Sequence, residues 1–237
     1  MTEVRVAMWS GPRNISTAMM RAWENRPDCV VVDEPFYAAY LHRTGIDHPG
    51  REEVIASQPT DPAEVVAALE APVDAPVLYA KHMTHHLAED EDLAWVARFR
   101  NVLLIRDPVE VVASYVRSRE ACEPEDIGLL QQVRLYDVLP AGSPVIDAAD
   151  FLRYPEAHLL WLCDWLGIPF TDRMLSWPPG PRDSDGVWAP HWYAAVWKST
   201  GFEPWRPRDT TLSDHDAAVA EACRPVYEAL YARRVRV

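Results

Sequence analysis

Five short apolar runs punctuate the chain, at residues 4–9 (VRVAMW), 29–32 (CVVV), 77–80 (VLYA), 102–105 (VLLI) and 145–146 (VI). None alternates polar with apolar residues, which is the pattern of strands covered on both faces in a parallel sheet. Helical stretches separate and follow them, at 17–25, 62–71, 108–119, 125–138, 155–166 and 214–234. Asp61-Pro62 and Asp107-Pro108 each place a capping carboxylate before a proline at the first helical position, and Ser16 reads as the cap of the first helix. Strands alternating with helices predict an α/β fold with a three-layer, doubly wound, mostly parallel sheet. No repeat or linker divides the chain, and 1–237 reads as a single domain of a length one α/β core can fill. Residues 177–208 are rich in proline, glycine and tryptophan without a period, and read as a long ordered loop region.

A net charge of −13 argues against nucleic acid and anionic membranes as partners, because both require a basic surface. No apolar run approaches the length of a membrane span, and no basic-then-apolar leader opens the sequence. The four cysteines are far apart and form no CxxC pair. Together these features predict a cytoplasmic protein; a homo-oligomer is left open.

The residues just past the apolar runs carry the chemistry. They are Ser10-Gly11-Pro12-Arg13, Asp33-Glu34-Pro35, Lys81-His82, Arg106-Asp107-Pro108 and Asp147. In a parallel sheet these exits share the carboxyl edge, where open α/β sheets bind ligands. The first exit, within SGPRNIST, is an anion cradle by its physics. Gly11 and Pro12 shape a tight turn, Asn14 and Ile15 continue it, and Ser16 and Thr17 open a helix whose free N–H groups favour an anion. Arg13 adds a fork of donors suited to phosphate or sulfate. A nucleoside-triphosphate loop would end in Gly-Lys-Ser/Thr, whereas Ser16, Thr17 and Ala18 stand there. ATP with magnesium is therefore a poor fit. The fourth exit, RDPVEVVASY, puts Ser114 nearly two helical turns beyond Arg106, within reach of a shared anion.

These two segments together resemble the sulfotransferases that use 3′-phosphoadenosine 5′-phosphosulfate (PAPS). That family combines a PKSGTT-type loop with a later RxPxxxxxSxY segment. Here Pro12 to Thr17 match the first, and Arg106, Pro108, Ser114 and Tyr115 match the second. SGPRNIST and DEPFY are closest to a prokaryotic branch of it. The resemblance implies a P-loop NTPase/sulfotransferase-like fold, with PAPS as cosubstrate, no metal, and transfer to a hydroxyl of a small molecule. Arg13, Ser16 and Thr17 would hold the 5′-phosphosulfate, and Arg106 and Ser114 the 3′-phosphate. Lys198, Ser199, Thr200 and Gly201 resemble the family's loop over that 3′-phosphate. Two positions depart from the better-known members: Ile15 replaces a glycine, and Ala18 replaces a tryptophan that stacks on adenine, leaving that role to Trp23 or another aromatic.

Sulfuryl transfer needs a base at the acceptor oxygen and a cation at the leaving oxygen. Lys81 is the candidate cation. Glu34 and His82 are rival bases, although Lys81 and His82 are one residue out of step with the family's lysine-x-histidine. Glu34 has a second reading, in which Asp33 or Glu34 pairs with Arg13 or Arg106. His82, His85 and His86 are spaced like metal ligands without an identifiable fourth. Trp177, Trp188, Trp192, Trp197 and Trp205, with His191 and Tyr193, could roof an apolar or sugar-like acceptor pocket, or form a second small core. Trp161 and Trp165 read as plain helix packing. A small-molecule kinase and a non-catalytic nucleotide-binding module are the alternative functions.

Overall fold

The computed structural model of the chain describes residues 3–117, 122–207 and 210–237. The five apolar runs form a five-stranded parallel sheet: β1 (Val4–Ser10), β2 (Cys29–Asp33), β3 (Val77–Met83), β4 (Arg100–Ile105) and β5 (Val145–Asp147). The order is β2-β3-β1-β4-β5. β1 is central, with β3 on one side and β4 on the other, so chain direction across the sheet reverses at its carboxyl end. Open α/β sheets bind ligands at such a point.

Side chains along each strand alternate between two cores. Ala7, Trp9, Leu78 and Ala80 face one layer, packed on α4 (Pro62–Glu70), α5 (Pro108–Tyr115), α6 (Leu129–Val138) and α10 (Asp214–Tyr231). Val6, Met8 and Tyr79 face the other. That layer contains α1 (Ser16–Glu24), α2 (Tyr37–Thr44), α3 (Arg51–Ser57), α8 (Pro155–Leu166) and α9 (Ala189–Trp192), while α7 (Ala148–Arg153) follows β5. Trp177 and Trp188 are buried in this second core, and Trp161 stacks on Trp165 along α8 at 6.4 Å.

Helices expected to reach 119 and 234 stop at Tyr115 and Tyr231, and three further boundaries differ from the sequence reading for physical reasons. β3 runs on through Lys81, His82 and Met83, because β1 continues to pair with it up to Ser10. Ser16 is the first helical residue of α1 rather than its cap; Ile15 holds the capping position, and no side chain caps the helix. The expected helix at 125–138 begins as a 3-10 turn over Pro124–Ile127, and Gly128 at φ 73° separates it from α6. Asp61 and Asp107 cap α4 and α5 as their cap-and-proline pairs predict, each accepting a backbone N–H two residues on. The expected last residues of the α5 segment, 118 and 119, lie outside the described residues, as does 208 of the loop region.

Candidate active site

The carboxyl edge of the sheet opens into a cavity of about 1390 Å³. Single small-ligand sites are about 300–1,000 Å³, so this one has room for two reactants together. Pro12 to Ala18 line it, with Arg106, Ser114 and Tyr115 on the same side. Glu34, Lys81, Tyr37, His86 and Tyr193 line it on the side of β2 and β3.

The cradle is braced from behind. Asn14 Nδ2 donates to the Leu104 carbonyl at 3.0 Å, and its Oδ1 accepts from Ile15 N at 2.8 Å. Arg13 takes the left-handed backbone of the turn at φ 55°, while Ile15 sits at φ −86°. The turn's strain therefore falls on Arg13, and position 15 needs no glycine. Gly11 is required for closeness instead: a Cβ there would lie 2.1 Å from the Ile127 backbone oxygen. Gly11→Ala is expected to cost about 2 kcal/mol or more of stability by displacing backbone. Urea unfolding measures it, and a loss under about 0.5 kcal/mol would show that the Ile127 turn yields freely.

Arg13 Nε donates to Ser114 Oγ at 3.1 Å, and Arg106 Nη1 donates to the Arg13 carbonyl at 2.7 Å. Both matched segments thus meet at the ends of β1 and β4. Burial lowers the Arg13 pKa, and the like charges of Arg117 and Arg106 lower it further. A partly buried arginine among like charges, beside the uncapped amino end of α1, is a place where an anion is stabilised.

On the opposite side a buried cluster joins β2, β3 and the Trp-rich segment. Lys81 Nζ donates to Asp33 Oδ1 at 2.9 Å, Glu34 Oε1 at 2.6 Å and Tyr193 Oη at 2.5 Å. Tyr193 Oη donates to Asp33 Oδ2 at 2.6 Å and accepts from Trp188 Nε1 at 3.2 Å. Glu34 stands at φ 41°, its carbonyl held by Gln58 Nε2 at 3.2 Å. Burial raises the Glu34 pKa above its ordinary value, with Lys81 pulling it down and Asp33 pushing it up. Burial alone would lower Lys81, but Asp33 and Glu34 hold its pKa above the usual lysine value.

Lys81, the candidate cation for a leaving oxygen, borders the cavity with its ammonium engaged by its own neighbours. An ammonium has three N–H donors, and all three are taken by Asp33, Glu34 and Tyr193. His82, unlike Lys81, is not at the cavity. Its side chain points to the other face of β3, stacked on Trp9 at 4.2 Å beside Phe36 and Trp95, and burial pushes its pKa down to about 3. Asp33 and Glu34 pair with Lys81 rather than with Arg13 or Arg106. In the late loop, Ser199 and Gly201 line the cavity, while Lys198 and Thr200 are exposed outside it. Trp23 is fully buried, stacked on Tyr79 at 5.2 Å, and is not part of the cavity lining. Tyr115, Phe202 and Trp205 are among the aromatics that do line the cavity. Trp192 and Tyr193 line it, whereas His191 is exposed and Trp197 donates to Asp185 at 2.9 Å.

His85 and His86 join the cavity wall as neutral imidazoles, His85 pushed down to about 4 by burial and His86 lowered likewise. His86 stacks between Tyr37 at 4.6 Å and Tyr40 at 4.9 Å. Among the described residues no group of three histidines, cysteines or carboxylates is arranged to hold a metal. The sequence reading missed Glu110, which an i,i+4 spacing from Arg106 signals. It also missed the hydrogen bonds of Tyr193, which no local spacing signals.

Residues 4–234 match the family described as "Sulfotransferase domain". The chain belongs to that family. Curated relatives of this sulfotransferase domain include two Arabidopsis thaliana proteins, "Branched-chain-amino-acid aminotransferase-like protein 2" and "protein 1". They are 36% and 37% identical over 228 residues, which is 94% of this chain. The chain spans about 40% of the length of those relatives, whose names describe them as wholes. Among solved structures, the sulfotransferase domain from the curacin biosynthetic pathway superposes with a TM-score of 0.58 at 14% identity, covering 94% of this chain and 98% of that one. The sulfotransferase from Alicyclobacillus acidocaldarius gives 0.56 at 12%, covering 99% and 98%. At such identities the likeness shows the fold, a parallel α/β sheet of the P-loop-like sulfotransferase type. Among the described residues, no helix of this sulfotransferase domain is long and apolar enough to cross a membrane.

Proposed function

We propose that this sulfotransferase domain takes PAPS as donor and passes its sulfuryl group to a hydroxyl of a small-molecule acceptor. The observation that carries this is one cavity with an anion cradle on one side and a buried carboxylate of raised pKa on the other. The residues fit such a donor: Arg13 and the uncapped amides of α1 for the 5′-phosphosulfate, Arg106 and Ser114 for the 3′-phosphate, and Tyr115 or Trp205 for the base.

Glu34 is the general base in this reading. It takes the proton of the acceptor hydroxyl as that oxygen bonds to sulfur. The bond from sulfur to the 5′-phosphate oxygen breaks, and its electron pair leaves on that oxygen. Arg13 and the amides of α1 stabilise the charge that develops there. Lys81 and Tyr193 hold Glu34 in place. The acceptor's surroundings are the rings of Tyr37, Tyr40 and Trp192 with neutral imidazoles, a lining suited to an apolar or sugar-like molecule.

Thermal unfolding with 3′-phosphoadenosine 5′-phosphate, compared with ATP–Mg²⁺, tests the donor. A ligand at one hundred times its Kd adds about 2.7 kcal/mol, a rise on the order of 5–10 °C for a chain of this size. The bisphosphate is expected to give this rise and ATP–Mg²⁺ little. The reverse order would return the site to a kinase, and binding without turnover of any acceptor would favour a non-catalytic module.

A further inference from the structure

Glu110 occupies the arginine that the donor reading gives to the 3′-phosphate. Arg106 Nε and Nη2 donate to its Oε2 at 2.9 and 2.8 Å, one turn along α5. Its Oε1 accepts from Trp205 Nε1 at 3.2 Å. Arg106, Glu110 and Trp205 all line the cavity. Trp205 is fastened besides by its backbone N–H to the Leu152 carbonyl and by Arg153, whose guanidinium lies 3.9 Å above its ring. A carboxylate therefore sits on the guanidinium that the donor reading assigns to the 3′-phosphate.

We propose that Glu110 is a specificity-determining residue that weakens the grip on the 3′-phosphate. This rests on the donor reading above. An incoming phosphate dianion at Arg106 must share that guanidinium with a carboxylate, and the two like charges repel across a half-buried site. Arg13 and Ser114 line the same cavity from the loop before α1 and from α5, so binding is still favourable, but less than the two arginines alone would make it. The nucleotide product carries the same 3′-phosphate, so the carboxylate also speeds its departure. Through Trp205 the same residue joins the anion site to the end of the Trp-rich segment.

Isothermal titration of the intact chain with 3′-phosphoadenosine 5′-phosphate and with adenosine 5′-monophosphate tests the assignment. Glu110→Gln keeps an oxygen for Trp205 and removes the charge. It is expected to tighten the bisphosphate about five- to tenfold and leave the monophosphate within about twofold. Trp205→Phe breaks the Nε1 bond to Glu110 and keeps a ring at the cavity; any change in affinity should fall on both nucleotides alike and leave that preference unchanged. An unaltered preference in Glu110→Gln, with wild type favouring the bisphosphate and Arg106→Ala losing that favour, overturns the role of Glu110 alone. Equal binding of both nucleotides by wild type and Arg106→Ala overturns the donor reading and this role with it. The same tightening in Trp205→Phe would assign the effect to the segment, not the charge, and overturn it too.

Discussion

Lys81→Met is expected to cost about 3–5 kcal/mol of stability at pH 8, because it leaves two buried carboxylates without their cation. Lys81 is 1% exposed and bonded to Asp33, Glu34 and Tyr193, so water cannot replace it cheaply. The pH dependence follows from the directions of the shifts. Lys81 has a folded pKa above its unfolded value, so its contribution is complete below the ordinary lysine pKa and fades only as pH rises through the folded one. Glu34 is already raised by burial, and losing the ammonium raises it further. A carboxyl raised by folding costs stability above its folded pKa, and the cost is relieved as pH falls through it. The gap between wild type and variant should therefore narrow from pH 8 to pH 5. Urea unfolding at both values measures it. A gap that stays constant, or is below about 1 kcal/mol at pH 8, would mean the carboxylates find other partners.

Glu34→Gln is expected to lower kcat by about 10²- to 10⁴-fold, the usual contribution of a positioned base. Binding of 3′-phosphoadenosine 5′-phosphate should stay within about twofold, since Arg106 and the cradle are on the far side of the cavity. The wild-type rate should rise with pH through a midpoint above the ordinary glutamate value, because only the ionised carboxylate accepts a proton. The variant should lose that limb of the profile. Retention of a tenth or more of the wild-type kcat would remove Glu34 from the role.

Much of this was legible because it is local. The apolar runs marked all five strands, and the strand exits at Arg13 and Arg106 pointed to one sheet edge, where Arg13 does meet Ser114. What escaped reading depends on contacts that spacing does not encode. Lys81 looks like the end of a strand, because a buried lysine counts as polar until its carboxylate partners are known. Lys81 and His82 are neighbours in sequence, yet one borders the cavity and the other lies in an aromatic core. The partner that completes the lysine cluster, Tyr193, comes from 112 residues further along. α2 went unread because it buries Tyr37, Ala38, Ala39 and Leu41 without a side-chain cap to announce its start.

The strand order also makes the sheet a ruler. Glu34 follows β2 and Arg106 follows β4, with β3 and β1 between them. Three inter-strand spacings separate the two, about 14 Å set by backbone hydrogen bonds rather than by any side chain. On the donor reading, the nucleotide is gauged by its length: anchored at Arg106, only a molecule of matching reach brings its reacting atom to Glu34. Swapping side chains around the acceptor can change what is modified, while the measure of the donor stays written in the backbone.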